Sequence, residues 1–339
     1  MFAFYIAVTL LLAASVYALR RNRLVNPALL LFSLSLVVTC LEAYYRFIYA
    51  ESDGFAQLSR NFAARYYHYD AFGLRASNLP LSETQKNLIV IGDSHVFGAG
   101  LKTPAERFSD KLAGHYTDLH VINLGGQGWD SKREKEKLVE YLGDTRASIP
   151  LIVLTYFFND IGDDVSAADR QRIVSPVRPV EPTAMDRLFQ RMARQSRFIE
   201  LFYYRAGYPR LVRDLLGQMQ MFYEDPAVSA RHLATLEEFR SVAEQRYHAN
   251  FLLVVLPFLH SEPLLHKTEF YAPFLAKLSE RHFNVIDLQP VLARHKVTEL
   301  RVSRFDPHPN AFSNQLIADA IIQYLDKHPE AVGNRPYGD

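Results

Sequence analysis

The sequence lacks several features that define common classes of protein. Of its 339 residues only Cys40 is a cysteine, which excludes an intramolecular disulfide and a cysteine-based metal cluster. The formal net charge is +1, so charge gives no reason to expect a nucleic-acid partner. The phosphate-binding pattern GxxxxGK[ST] is absent, and internal repeats and low-complexity tracts are absent as well. The length suits one domain with additions, or two small domains.

Charge is also missing from two stretches near the start of the chain. Neither Phe2 to Leu19 nor Leu24 to Leu41 contains a charged residue, and each is close to the lower length limit of a bilayer-spanning helix. The segment between them, Arg20 to Arg23, is basic. We therefore predict that residues 1–49 form a two-helix transmembrane anchor.

The basic loop predicts the orientation of this anchor. The positive-inside rule places the loop in the cytoplasm, so everything after about residue 50 lies outside the inner membrane, which is the periplasm in a Gram-negative cell. The alternative is a cleaved signal peptide, which normally begins with a basic segment, whereas Met1 to Phe4 is uncharged. Glu42 and Arg46, four residues apart near the outer end of the second helix, are expected to pair.

Residues 86–330 alternate between apolar segments and helical patterns. This alternation predicts an open three-layer α/β domain with a parallel sheet, because parallel strands need helices on both faces. In such sheets the ligand binds beyond the carboxyl ends of the strands. The predicted strands are Asn87 to Ile91, His120 to Leu124, Pro150 to Tyr156, Phe251 to Pro257 and Phe283 to Leu288. The predicted helices are Pro104 to His115, Lys132 to Leu142, 227 to 247, 268 to 281 and the segment after Asn310.

Two segments depart from this alternation. Residues 50–85 are predicted to be an irregular lead-in, and residues 165–226 a helical insertion that opens with an extended loop at 172–179. Two interpretations of the insertion stay open: a helical subdomain with a solvated basic face, or a lid or basic surface that faces the membrane or an anionic glycan. Aromatic residues are interleaved with its arginines, which are Arg187, Arg191, Arg194, Arg197, Arg205, Arg210 and Arg213.

The first candidate for chemistry is Ser94, in the sequence Gly92-Asp93-Ser94-His95 after the first predicted strand. Serine attacks an ester only when a base removes its proton. At the beginning of a helix its hydroxyl would face the crevice, and the helix N-terminus would favour developing negative charge. Taken alone, the tetrapeptide also fits an ordinary turn.

Later strand ends and loops supply matching polar groups. The backbone N–H of Gly128 could donate to an oxyanion, and the side-chain amide of Asn159 could be a second donor. Asp160 is expected to be a structural hydrogen-bond acceptor. His308 lies between two prolines just before the last predicted helix, in a loop that prolines stiffen. Histidine is the usual base for serine, and a carboxylate such as Asp306 orients it.

Taken in order along the chain, these residues resemble the conserved blocks of the SGNH hydrolase superfamily, the GDSL esterases and lipases. Each match is short, and their combination carries the resemblance, which covers most of the chain after the lead-in. The matching residues are Ser94 of GDSH in the first block, Gly128 of NLGGQG in the second, Asn159 of FFND in the third, and Asp306 and His308 in the fifth.

The resemblance implies a flavodoxin-like fold and a triad of Ser94, His308 and Asp306. It also implies an oxyanion hole made by the N–H groups of Ser94 and Gly128 and the side chain of Asn159. The reaction class would be ester hydrolysis or acyl transfer through an acyl-serine, with no metal or organic cofactor.

The sequence departs from the family pattern at three positions. Phe157 occupies the place of the usual glycine in the third block, which would narrow the acyl pocket or shift the strand end. Asp306 lies two residues before His308 instead of three, and Phe305 takes the usual place. Either Asp306 still reaches the imidazole, which we expect, or a backbone carbonyl orients it. His95 replaces the common leucine, and we expect it to be structural.

The lead-in from Tyr69 to Arg75 is similar to the segment before the catalytic block in membrane-anchored bacterial members, many of which are associated with envelope polysaccharides. The leading hypothesis is a membrane-tethered periplasmic serine esterase for acyl esters, expected to be acetyl esters on such a polysaccharide. The alternatives are an O-acetyltransferase with the same triad, a lipase or lysophospholipase, and a non-catalytic glycan-binding assembly protein. The expected partners are the acyl-ester substrate and the inner membrane, with no nucleic acid.

Overall fold

The chain divides into two compact units. One unit combines Met1–Arg65 with Pro179–Leu211, and the other combines Tyr66–Arg178 with Val212–Asp339. The structure is a computed structural model, and it describes residues 1–54, 59–75, 80–174, 184–269 and 271–333.

Five strands form one parallel sheet in the second unit. They are β1 (Lys86–Gly92), β2 (Leu119–Gly125), β3 (Leu151–Tyr156), β4 (Asn250–Val255) and β5 (Asn284–Asp287). Their order is β2-β1-β3-β4-β5, and every neighbouring pair is parallel. This is the flavodoxin-like order. Almost every residue of β1 to β4 is buried, as expected when helices cover both faces of a parallel sheet. The predicted α/β fold with a parallel sheet is therefore confirmed.

α-Helices occur in both units, and those of the second unit connect the strands. In chain order the α-helices of the described residues are α1 (Phe2–Ala18), α2 (Val25–Ala43), α3 (Arg60–Tyr66), α4 (Ser94–Phe97), α5 (Phe108–His115), α6 (Ser131–Leu142), α7 (Ala167–Ile173), α8 (Ala184–Ala193), α9 (Arg197–Glu224), α10 (Pro226–Ser241), α11 (Glu262–Leu265), α12 (Ala272–Glu280), α13 (Gln289–Leu292), α14 (Val297–Leu300) and α15 (Ala311–Lys327). Among the described residues, 3₁₀ segments occupy Pro104–Glu106, Phe158–Asp164 and Pro329–Val332, and π turns follow α2 at Tyr44–Ile48 and α10 at Val242–Arg246.

Several predicted boundaries differ from the structure. The lead-in at 50–85 is not wholly irregular, because α3 lies inside it. The extended loop predicted at 172–179 is wrong at its start, since α7 continues to Ile173; residues 175–179 lie outside the described residues. A capping box between Ser166 and Asp169 explains why this helix forms.

The limits of the two units also differ from the domain limits expected from the sequence. The first unit combines the expected anchor, 1–49, with part of the lead-in and with residues 179–211 of the insertion. The rest of the insertion belongs with the sheet, because Leu216, Met219 and Phe222 of α9 are buried in the same core as the strands.

The first unit begins with two apolar helices that pack against each other. One described helical segment, Val25–Ile48, is 24 residues long with a mean hydropathy of 1.8 and meets the length and composition of a membrane span. Helix α1 is shorter, at 17 residues, so of the two membrane helices expected from the sequence only the second meets these criteria among the described residues. The hydroxyl of Thr9 on α1 lies 2.7 Å from that of Ser35 and 2.9 Å from that of Thr39 on α2. These hydrogen bonds join the two helices.

The end of β1 depends on the absence of a side chain at Gly92. A Cβ there would lie 2.5 Å from Cγ2 of Val96 and 3.0 Å from the carbonyl oxygen of Thr155. We expect Gly92→Ala to lower the free energy of unfolding by about 1–3 kcal/mol, because the added methyl overpacks a filled core. Denaturant unfolding of the full chain in detergent, followed by the fluorescence of Trp129, measures this.

Gly114→Ala is the matched control for this prediction. Gly114 lies in α5 with nothing within 4 Å of a Cβ, so alanine is expected to leave the stability unchanged or raise it by about 0.5–1 kcal/mol. Equal free energies of unfolding for Gly92→Ala and Gly114→Ala would show that the core around Gly92 can accommodate a methyl group.

Candidate active site

The end of β1 presents Ser94 at the carboxyl edge of the sheet. Gly92 ends the strand, and Ser94 is the first residue of α4. The side chain of Asp93 caps this helix by accepting a hydrogen bond from the N–H of His95 at 2.9 Å. Helix α4 can lie this close to the strand because Gly92 has no Cβ to meet Val96. Ser94 is therefore held at a short, tightly packed strand-to-helix turn.

The loop before α15 carries His308. The N–H of Val302 donates to the carbonyl of His308 at 2.9 Å, and Arg301 and Pro309 form an antiparallel bridge. The side chain of Asn310 then caps α15 by accepting from the N–H of Ser313 at 3.0 Å. These backbone contacts fix the loop on both sides of the imidazole.

Ser94, His308 and Asp306 form a continuous chain of hydrogen bonds. Nε2 of His308 lies 2.8 Å from Oγ of Ser94, and Nδ1 of His308 lies 2.5 Å from Oδ1 of Asp306. Asp306 is fully buried and His308 is 9% exposed. The arrangement places a base against the serine hydroxyl and a carboxylate on the far side of the ring, which is what activation of a serine requires.

The short spacing between Asp306 and His308 does not prevent this contact. Oδ1 of Asp306 also accepts a hydrogen bond from the backbone N–H of His308 at 3.1 Å, so the carboxylate folds forward over the next two residues in an Asx turn. The N–H of Asp306 donates to Oγ of Ser303 at 3.0 Å. Nδ1 of His308 thus faces the carboxylate of Asp306, the partner that we expected over a backbone carbonyl.

Electrostatics favour the protonated form of His308. Burial alone would lower the pKa of His308, but the negative charge of Asp306, its hydrogen bond and the charge of Asp93 outweigh burial and raise that pKa above 6.5. His308 therefore becomes neutral, and able to accept the serine proton, only at a higher pH than a histidine with an ordinary pKa.

A second Asp–His pair lies beside the first. Nδ1 of His95 lies 2.8 Å from Oδ1 of Asp93, and both residues are buried. Burial alone would raise the pKa of Asp93, but the charge and hydrogen bonds of His95 lower it. The His95 ring lies 5.2 Å from that of His308 and 4.6 Å from that of Phe157, measured between centroids. His95 therefore helps to form the wall of the site.

His260 was missed by sequence reasoning. It follows the end of β4 and is buried, and among the described residues its Nδ1 has no hydrogen-bond partner. Burial lowers the pKa of His260 to about 3, with further lowering by the charges of His308 and His95. Its position after a strand end was the available signal, which the four residues between Val255 and His260 obscured. The Asp93–His95 pair was easier to find in the sequence, because an aspartate directly before a helix is typical of an N-cap.

The two other predicted oxyanion donors lie in turns at the same edge of the sheet. Gly128 follows β2 with a φ of 71° and open space where a Cβ would be. Gly125 and Gly126, by contrast, are required for packing, since a Cβ would meet Phe97 and Trp129 respectively. Asn159 is exposed in the turn after β3. Their role as donors stays a prediction.

Asp160, beside Asn159, is part of a buried acidic pair. Its carboxylate accepts from the hydroxyl of Ser131 at 3.2 Å. Burial and then the charge of Asp93 raise the pKa of Asp160 well above its ordinary value, and burial and then Asp160 do the same for Glu134. Both groups therefore hold a proton more readily than exposed carboxyls do, which suits a structural role.

The lead-in supports the segment that follows the serine. Arg75 is buried and donates to the carbonyls of Gly98 at 2.6 Å and Leu101 at 2.7 Å. The hydroxyl of Tyr67 accepts from the N–H of Gly100 at 2.8 Å, and the guanidinium of Arg75 lies 4.4 Å from the Tyr67 ring centroid. These contacts attach the lead-in to the loop after α4 and hold that loop in place.

Comparisons with known proteins give low similarity. No family model matches the sequence, and no curated protein matches it significantly. Among solved structures, the chain is similar to a member of the lipolytic protein G-D-S-L family from Veillonella parvula, with 14% identity and a TM-score of 0.42 over 71% of this chain and 99% of that one. It is similar to the lipase/acylhydrolase from Enterococcus faecalis, with 13% identity and a TM-score of 0.38 over 75% and 100%.

A third similar structure is Axe2, an acetylxylan esterase from Geobacillus stearothermophilus. It shares 13% identity and a TM-score of 0.41 over 75% of this chain and 98% of that one. These values are low, so the function of the chain rests on its own side chains.

The contact between Asp306 and His308 predicts the pH dependence of activity. The imidazole must be neutral to accept a proton, so kcat/KM for an ester should rise with pH through the raised pKa of His308. Asp306→Asn removes the charge that raises this pKa. We expect the acidic limb to move to lower pH and the rate on the plateau to fall roughly 10⁴-fold, because the amide favours the wrong tautomer.

Asp118→Asn is the control, since Asp118 is an exposed carboxylate elsewhere in the second unit. It should change neither the limb nor the plateau. An acidic limb that stays in place in Asp306→Asn would mean that another group sets the pKa of the base.

Proposed function

We propose that this chain is a serine esterase that works through an acyl-serine intermediate. The observation that carries the proposal is the hydrogen-bonded series from Ser94 through His308 to Asp306, with 2.8 Å between Ser94 Oγ and His308 Nε2. A buried carboxylate, an oriented imidazole and a serine at the start of a helix supply the parts that nucleophilic attack on an ester needs.

In the proposed mechanism His308 removes the proton of Ser94 as the hydroxyl oxygen attacks the ester carbonyl. The resulting imidazolium is stabilised by Asp306 and then donates its proton to the departing alkoxide. Water, or a sugar hydroxyl in a transferase, attacks the acyl-serine with His308 again as base. The released serine regains its proton and the cycle closes.

The developing oxyanion is stabilised by three donors in this proposal. The N–H of Ser94 lies at the beginning of α4. Gly128 has a positive φ and leaves open space on its Cβ side, which allows a backbone N–H to approach a ligand closely. Asn159 is exposed, and among the described residues its amide forms no hydrogen bond that would have to break first.

Phe157 supports a short acyl group as the substrate in this proposal. Phe157 occupies the place of the family glycine, is only 9% exposed, and packs against His95 and against Phe258, whose ring centroid lies 5.1 Å away. A large ring packed on His95, the residue after Ser94, favours a short acyl group over a long one. We therefore infer an acetyl ester as the substrate.

A membrane tether is the second part of the proposal. Val25–Ile48 is long and apolar enough to cross a bilayer, and the hydroxyls of Thr9, Ser35 and Thr39 satisfy one another between α1 and α2, as polar groups within a membrane must. The basic segment Arg20 to Arg23 favours a cytoplasmic loop, which gives a periplasmic esterase. An acetylated envelope polysaccharide is the substrate we propose in that compartment.

Hydrolysis of p-nitrophenyl acetate by the full chain in detergent tests the chemistry. We expect Ser94→Ala to reduce kcat by on the order of 10⁶-fold, to background, since the nucleophile is removed. Ser279→Ala, an exposed serine of α12, should leave the rate unchanged. The full chain is needed because residues 179–211 form one unit with the N-terminal helices.

The same assay separates the alternatives. Faster turnover of a long-chain p-nitrophenyl ester than of the acetate would favour a lipase. Turnover that appears only when an oligosaccharide acceptor is added, with acetylated product, would favour an O-acetyltransferase. Equal turnover by Ser94→Ala and the unsubstituted chain would overturn the acyl-serine mechanism.

The proposed oxyanion role of Asn159 predicts that kcat falls when its side chain is removed. Asn159→Ala should reduce kcat roughly 100–1,000-fold with little change in KM, because a donor to the transition state is removed. Thermal unfolding should be unchanged, since the side chain is exposed. A variant with unaltered kcat would show that Asn159 lies away from the developing charge.

A further inference from the structure

The described part of the insertion exposes an apolar helix face. Helix α8 leaves Met185, Leu188 and Phe189 exposed by 58%, 50% and 46%. Their spacing of three and four residues places them on one side of the helix. Single exposed apolar residues are ordinary, whereas three large neighbours on one short helix indicate a surface that has a partner.

The end of α2 holds the insertion through a buried carboxylate. Glu42 is fully buried and accepts hydrogen bonds from Oγ of Ser196 at 2.8 Å, from the N–H of Arg197 at 3.2 Å and from the N–H of Phe198 at 3.0 Å. It therefore satisfies free N–H groups at the beginning of α9, where negative charge is favourable. Helix α9, which follows α8, is thus capped by a residue of the apolar hairpin, which consists of α1, α2 and the basic segment between them.

Further polar contacts join the same two segments. Arg46, which pairs with Glu42 as expected, donates to the carbonyl of Gln195 at 3.1 Å. Arg205 of α9 lies 3.4 Å from Oδ1 of Asp53, and the hydroxyl of Tyr49 donates to the other oxygen of Asp53 at 2.7 Å. The first turns of α9 are therefore held at the end of the hairpin, not at its basic loop.

Apolar surface continues from the hairpin onto the insertion. The ring of Tyr45 stacks on Phe198 with centroids 6.5 Å apart, and Phe198 contacts Phe202 at 4.9 Å. Phe202 is 61% exposed, and Phe47 and Ile48 at the end of the α2 segment are 65% and 67% exposed. The ring contacts from Tyr45 through Phe198 to Phe202 thus continue the surface that is proposed to meet lipid from the end of α2 onto α9.

The other side of α8 is basic. Arg187 and Arg191 lie away from the apolar face and are exposed. A helix with large apolar residues on one side and arginines on the other is suited to the boundary between acyl chains and anionic headgroups. With 10 residues α8 is too short to span a bilayer, so it would lie along the surface.

We propose that α8 lies in the surface layer of the lipid bilayer, beside the outer end of α2. Met185, Leu188 and Phe189 enter the acyl chains, and the arginines meet anionic phospholipid headgroups. The inference rests on the membrane tether of the proposed function, and it assigns lipid as the partner of the insertion. It adds α8, together with the first turns of α9, to the elements that contact the membrane.

Site-directed spin labelling tests this proposal, because the chain has a single cysteine. In a Cys40→Ala background, nitroxide labels are attached at Leu188→Cys, at Arg191→Cys and, in the middle of α2, at Leu34→Cys. The full chain is reconstituted in vesicles of phosphatidylethanolamine and phosphatidylglycerol. Collision with oxygen, which concentrates among acyl chains, is compared with collision with nickel-EDTA-diacetate, which stays in water.

We expect the Leu188 and Leu34 labels to collide more with oxygen than with the nickel reagent, and the Arg191 label to show the reverse. A lipid-exposed Leu34 label with a water-exposed Leu188 label would overturn this inference and leave the tether standing. A Leu188 label shielded from both reagents would mean that α8 packs against protein, such as a second copy, and would also overturn it. A water-exposed Leu34 label would overturn the tether itself.

Discussion

The candidate site depends on one geometric constraint, which is that all five strands are parallel. Their carboxyl ends therefore meet at a single edge, where the backbone turns towards helices and leaves room for side chains. Ser94 follows β1, Gly128 follows β2, and Asn159 follows β3. The sheet brings together groups that are distant in sequence. The tight packing at Gly92 then sets how closely α4, and with it the serine, can approach this edge.

The carboxylate of Asp306 adapts the site to its shortened loop. It accepts from the backbone N–H of His308 and from the ring of the same residue, so a single side chain fixes both the loop and the imidazole. Burial makes this arrangement effective, because an ionised carboxylate with little water around it interacts strongly with its neighbours. The charge of the neighbouring Asp93 acts on His308 in the same direction and helps to raise its pKa.

Much of the sheet could be predicted from the sequence because β1, β3 and β4 each contain a continuous apolar run, at 88–91, 151–154 and 251–255. The candidate triad could be predicted as well, since its residues lie at such ends or before the last helix. Sequence reasoning could not predict contacts that are set by tertiary packing. Glu42 and Ser196 are separated by 154 positions, and neither local pattern indicates the other. His260 was missed for the same reason, because its neighbours are His95 and His308.

Glu42 illustrates how a costly group can determine the organisation of the first unit. A carboxylate at the end of an apolar helix is unfavourable unless hydrogen bonds and a countercharge replace its water. Here Arg46 supplies the charge, and Ser196 with the first N–H groups of α9 supplies the hydrogen bonds. Removing the insertion would leave this carboxylate with Arg46 alone, so the insertion and the hairpin stabilise each other. That mutual dependence explains why residues 179–211 belong to the N-terminal unit, although the chain enters and leaves them from the sheet domain.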